Sequence, residues 1–152
     1  MDKSYLIKRY AVVSLIAMIG MAVLSYLIEV FLNHDIGSVS GMIAVFIPAM
    51  DAGQTYVRRG HGKPANGFAW KMSFIFMIVN LVIGVLLTSL LFAVMGASEM
   101  LVLLIGAMEN PVFMIVLAVM MLVGVLVTRL FIGLGAKNQL KLEEKLAAKK
   151  QP

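Results

Sequence analysis

The sequence predicts an all-α integral membrane protein. The expected fold is a four-helix bundle with both termini in the cytoplasm (N-in/C-in), a short outer interfacial helix and a basic cytoplasmic C-terminal helix. Apolar residues make up 61% of the chain and charged residues 14%, against roughly 45–50% and 25% in soluble proteins. The thirteen Lys and Arg residues fall in clusters between long apolar stretches, and alternate connections carry none. Since cytoplasmic loops are the basic ones, this pattern sets the orientation.

The first two predicted spans cover residues 10–32 and 36–57. The basic residues before the first span resemble the start of a signal peptide. However, the apolar run is too long for one and lacks a clear cleavage site, so we expect an uncleaved span. In the second span Gly37 and Gly41 form a GxxxG pair, and Ala49 and Gly53 repeat the small-residue spacing. Such residues let helix backbones approach closely, so these four predict helix-packing positions.

The remaining spans are predicted at residues 69–95 and 111–131, after a turn that is rich in glycine. Between them, segment 97–109 is too short to cross a bilayer and predicts an interfacial or re-entrant helix on the outer side. Pro111 suits the first position of the fourth span.

Residues 1–135 therefore predict the transmembrane domain, and residues 136–152 predict a basic amphipathic tail. A basic helix beside a span is expected to contact anionic lipid headgroups or an acidic partner. The cations expected to make this contact are Lys141, Lys145, Lys149 and Lys150.

A candidate intramembrane polar site is centred on Asp51. A carboxylate at membrane depth faces a bundle interior or a water-filled cavity, because it is costly in hydrocarbon. Gln54 extends the same face, Arg129 lies at a similar depth and is the expected partner, and Asn80 is expected to form an interhelical hydrogen bond. Two interpretations stay open: an ion or proton site, or a structural pair between Asp51 and Arg129 that fixes helix register.

Composition and motifs exclude several classes of function. The chain has no cysteine, which rules out disulfides, thiolate metal sites and cysteine nucleophiles. It has no HExxH, GxSxG or Walker motif, so we expect no catalytic site, metal or cofactor, and a lipid-modifying enzyme is disfavoured. The cations flank predicted spans, which explains the basic character without nucleic-acid binding.

One stretch resembles a known family. Ala52-Gly53-Gln54, followed by an aromatic residue, basic residues, Lys63 and then Trp70-Lys71 before an apolar span, is similar to an uncharacterised family of small four-span bacterial inner-membrane proteins. The resemblance covers about residues 10–130 and implies topology and a bacterial inner membrane, but no activity. Segment 97–108 and the long basic tail depart from the family's compact pattern.

We therefore expect a non-catalytic protein of the bacterial inner membrane that serves as a small accessory or packing subunit. Its expected partners are the lipid bilayer, with anionic headgroups at the cytoplasmic face, and other membrane subunits or further copies of itself. The alternative is an oligomeric transporter of an ion or small solute that uses Asp51. Replacement of Asp51 by Asn separates the two hypotheses, because it should abolish only an ion-coupled flux.

Overall fold

The computed structural model describes residues 3–33 and 37–149, which form five α-helices and contain no strand. The helices are α1 (Lys3–Leu32), α2 (Gly37–Tyr56), α3 (Asn66–Val94), α4 (Ser98–Met108) and α5 (Pro111–Ala148). A π-helical turn, Val57–His61, follows α2 directly. The all-α class predicted from the sequence is confirmed for the described residues.

Three of these helices are long and apolar enough to cross a membrane. Helices α1, α3 and α5 contain 30, 29 and 38 residues, so at 1.5 Å per residue each exceeds the roughly 30 Å of a hydrocarbon layer. Helix α2 has 20 residues, or about 30 Å, but Asp51, Gln54 and several Gly and Ser residues lower its hydropathy. The chain is thus a multi-pass membrane protein, while the crossing by α2 and the sidedness of the termini stay predictions.

The four long helices form a closed ring. Helix α1 packs against α2, α2 against α5, α5 against α3, and α3 against α1, with the most extensive contacts on the two sides of α2. We call the end of the ring where α1 begins and α2 ends the basic end, and the opposite end the far end. Helix α4 lies at the far end, between α3 and α5 in the chain.

The hydrophobic core lies toward the basic end. Its buried members come from all four helices: Leu6, Tyr10, Ala49, Ala52, Met72, Phe76 and Ile132. Toward the far end, large apolar side chains are exposed on the surface. Phe31, Val94 and Val112 are 79%, 77% and 66% exposed, respectively. Hydrocarbon is the solvent that tolerates this surface, since soluble proteins seldom leave large contiguous apolar patches uncovered.

Helix ends follow local sequence signals. Pro111 is the first residue of α5, as predicted, and the Asn110 side chain accepts a hydrogen bond of 2.9 Å from the backbone N–H of Val112. After α2, Gly60 and Gly62 take positive φ angles of 79° and 62°, which glycine adopts without steric penalty. These two residues turn the chain from α2 into α3.

Two features differ from the sequence-based expectation. Helix α1 begins at Lys3, about two turns before the predicted span. Helix α5 continues unbroken from Pro111 to Ala148, so no helix end separates the predicted domains 1–135 and 136–152. The physical reason is packing: Gly135, Ala136 and Gln139 are buried in this region, which stabilises the helix across Gly133 and Gly135.

Candidate intramembrane polar site

Asp51 forms a two-point ion pair with Arg9. The Nε and Nη2 atoms of Arg9 donate to the two carboxylate oxygens at 2.7 and 2.8 Å, and the Arg9 and Asp51 side chains are 36% and 22% exposed. The expected pairing with Arg129 is therefore wrong. On α5, Ile132 and Ala136 approach Gly53 of α2, whereas the Arg129 side chain contacts α3.

Aromatic and basic side chains extend the ion pair at the basic end. The guanidinium carbon of Arg59 lies 3.5 Å from the centroid of the Tyr5 ring, a cation–π contact. This contact joins α1 to the π-helical turn that follows α2.

Arg129 binds to the start of α3. Its Nη2 atom donates to Oδ1 of Asn66 at 2.5 Å, and its guanidinium carbon lies 4.5 Å from the centroid of the Trp70 ring. Gln54 is half-buried, three residues after Asp51 on α2. Asp51, Arg129 and Asn80, which were predicted to share one polar site with Gln54, thus belong to three separate contacts.

Asn80 lies in a buried hydrogen-bond network between α1 and α3. Its Nδ2 atom donates to the hydroxyl of Tyr10 at 2.7 Å, and its Oδ1 atom accepts from the hydroxyl of Ser14. The Tyr10 ring stacks on Phe76 with centroids 3.8 Å apart and planes inclined by 4°. The sequence predicted an interhelical hydrogen bond for Asn80, and the structure supplies both partners.

The small residues mark a close crossing of α2 and α5. A Cβ atom on Gly53 would lie 2.1 Å from the carbonyl oxygen of Ile132, and one on Gly135 would lie 2.2 Å from that of Met50. Ala49 is fully buried. By contrast, a Cβ on Gly41 would meet nothing within 4 Å, and Gly37 is the first residue of α2. The close packing is therefore at the Ala49/Gly53 end of α2, and a packing role for Gly37 and Gly41 stays a prediction.

The basic tail is the exposed last part of α5. Lys141, Lys145 and Lys149 are exposed, and Lys150 lies outside the described residues. Two residues before Lys141, Gln139 accepts a hydrogen bond from Arg58 Nε and donates one to Glu143, each of 3.1 Å. The tail is thus joined to the loop after α2, while the contact of its lysines with lipid or a partner stays a prediction.

Sequence reasoning missed several functional contacts. The sequence predicts no contact for Arg9, Tyr10 or Ser14, which lie at or near the start of the first predicted span. Tyr10 and Ser14 are four residues apart and share one helix face, which was a signal for a polar contact with Asn80. Among the residues that the structure describes, no group of three or more His, Asp or Glu side chains is placed to hold a metal ion.

Comparison of the chain with protein-family models, with curated proteins and with solved structures found no match. The resemblance to a family of small four-span inner-membrane proteins stays a prediction. The geometry of the candidate site consists of a paired carboxylate and a close helix crossing toward the basic end, and a satisfied amide network at Asn80, midway along α3.

Proposed function

We propose that this chain is a non-catalytic integral protein of a bacterial inner membrane, and that it serves as a small accessory or packing subunit of a membrane complex. In this proposal α2 is the fourth crossing, and the basic end faces the cytoplasm, as the positive-inside rule favours. The lower hydropathy of α2 fits this position, because Ala49, Ala52 and Gly53 face neighbouring helices rather than lipid.

The observation that supports a structural role is the pairing of Asp51 with Arg9. Both of its carboxylate oxygens accept hydrogen bonds from Arg9. A transported ion or proton would have to compete with a fixed guanidinium for these oxygens, and bidentate Arg–carboxylate pairs are among the strong charge-assisted contacts. Asn80 is engaged in the same way by Tyr10 and Ser14. These polar groups join helices to one another, as expected of residues that fix a bundle.

The test is purification of the tagged native protein in a gentle detergent, followed by native mass spectrometry. We expect a particle that contains a second polypeptide in fixed ratio, and we expect Asp51→Asn to retain that partner. Lys71→Gln, which changes one exposed charge near the start of α3, is the matched control. A single species at the mass of the protomer or of a homo-oligomer would contradict the accessory role. A cation or proton flux in proteoliposomes that Asp51→Asn abolishes would favour the transporter instead.

A further inference from the structure

A groove with basic walls and an apolar floor runs between the loop before α3 and the inner part of α5. It consists of two adjoining cavities of about 420 and 430 Å³ that share Lys63, Leu130 and Gly133. The first is completed by Pro64, Asn66, Ala69 and Arg129, and the second by Leu134, Lys137 and Leu140. We call this feature the Lys63 groove. Among the described residues, its lining includes three cations and no acidic side chain.

The lining places charge and apolar surface together. Leu130 and Leu134 are 60% and 47% exposed, on successive turns of α5. Arg129 and Lys137, eight residues apart on the same helix, stand about 12 Å from each other along its axis. Lys63 faces both from the loop. Arg129 and Lys137 therefore flank the two exposed leucines along α5. This arrangement suits a molecule that has an anionic headgroup and an apolar chain.

Arg129 is held in position before any ligand arrives. Its hydrogen bond to Asn66 and its contact with the Trp70 ring fix the guanidinium at the wall of the groove, so little side-chain entropy is lost on binding. On the floor, a Cβ on Gly133 would meet nothing within 4 Å. The absence of a side chain there keeps the floor open.

We propose that the Lys63 groove binds one anionic phospholipid, with its phosphodiester between Lys63, Arg129 and Lys137 and an acyl chain along Leu130 and Leu134. This proposal rests on the membrane placement above and adds a specific site to the general attraction of lysines to anionic lipid. The apolar floor favours a lipid over free phosphate. Basic pockets beside membrane helices bind lipid headgroups in this way, with a substantial gain for each cation near the surface.

Two variants test the site by different routes. Lys63→Gln with Lys137→Gln removes two exposed cations, and Gly133→Leu fills the floor without changing charge. Their controls are Lys8→Gln with Lys71→Gln, which removes two exposed cations of α1 and α3, and Gly84→Leu, since Gly84 also has open space around it. All positions are on the surface or in open space, so each variant should fold.

The measurement is native mass spectrometry of the full chain in mild detergent, titrated with dioleoyl-phosphatidylglycerol or dioleoyl-phosphatidylcholine. We expect one saturable phosphatidylglycerol adduct, at least fivefold weaker in both groove variants and unchanged in both controls. Equal weakening in the lysine controls, an unchanged Gly133→Leu variant, or equal binding of phosphatidylcholine would overturn the proposal. Displacement of the lipid by millimolar inorganic phosphate would show a phosphate site instead. A failed accessory role would leave these results unaffected.

Discussion

At the scale of single residues, polar groups at membrane depth are matched to partners on neighbouring helices. Arg9 and Asp51 join α1 to α2, Asn80 joins α3 to α1, and Arg129 joins α5 to α3. An unpaired charge in hydrocarbon is costly, so each of these contacts restricts how the helices rotate about their axes. The hydroxyls of Thr55 and Thr128, in contrast, are buried without a hydrogen-bond partner among the described residues.

The ion pair gives the prediction at this scale. Asp51→Asn should destabilise the protein by about 1–2 kcal/mol, because Arg9 keeps its charge but loses its counter-ion; partial exposure keeps the loss below that of a fully buried pair. Arg9→Gln should have a similar effect. The double variant should lose less than the sum of the two single losses, since residues in contact are not additive. Thermal unfolding in detergent measures this.

Arg129→Gln is the matched control for that cycle. Combined with Asp51→Asn, it should give additive losses, because Arg129 contacts Asn66 and Trp70 rather than Asp51. The opposite pattern would be additive losses for Arg9 with Asp51 and coupled losses for Arg129 with Asp51. That result would show that Asp51 pairs with Arg129, as the sequence predicted.

At the scale of helices, α2 is positioned by its small residues. Gly53 and Gly135 let the backbones of α2 and α5 touch, and this contact substitutes for the hydrophobic effect, which does not drive association between helices in lipid. The same contact explains why α5 continues past the predicted end of its span. Its inner part is a packing surface, which reaches at least to Gln139.

The crossing gives a prediction with an internal control. Gly53→Ala and Gly135→Ala should each destabilise by about 2 kcal/mol or more, because the new Cβ meets a backbone carbonyl that cannot move aside as a side chain does. Gly133→Ala and Gly41→Ala, placed in open space, should stabilise by about 0.5–1 kcal/mol through helix propensity. Melting temperatures of the four variants check this. If Gly133→Ala and Gly135→Ala changed the melting temperature by the same amount, the close crossing of α2 and α5 would be contradicted.

At the scale of the molecule, the sequence predicted the helices but not how they face one another. Apolar length, Pro111 and the glycines after α2 were enough to locate most helix ends, because these signals are local. The partner of Asp51, by contrast, lies 42 residues away in the sequence and is not indicated by any local signal. Arg9 and Arg129 both lie on helices that flank α2, and the packing of the helices places Arg9 rather than Arg129 against Asp51.

The same limit applies to the candidate site as a whole. Asn80 was predicted to form an interhelical bond because an amide in a span needs a partner, yet its partners Tyr10 and Ser14 depend on the pairing of α1 with α3. The Lys63 groove was also hidden, since it joins a loop to a helix more than sixty residues later. Sequence indicates which polar groups need partners, while packing decides the identity of the partners.

In the proposed bundle all four long helices, including α2, lie in hydrocarbon beyond the basic end. Because the chain has no native cysteine, single spin labels can replace Val23, Ile47, Val85 and Val119, which are exposed apolar residues on α1, α2, α3 and α5. In lipid nanodiscs, power-saturation measurements should show high collision with oxygen and low collision with a water-soluble nickel chelate at all four positions, and the reverse at Lys141. A label at position 47 that collides freely with the nickel chelate would place α2 in water and contradict the four-helix membrane bundle.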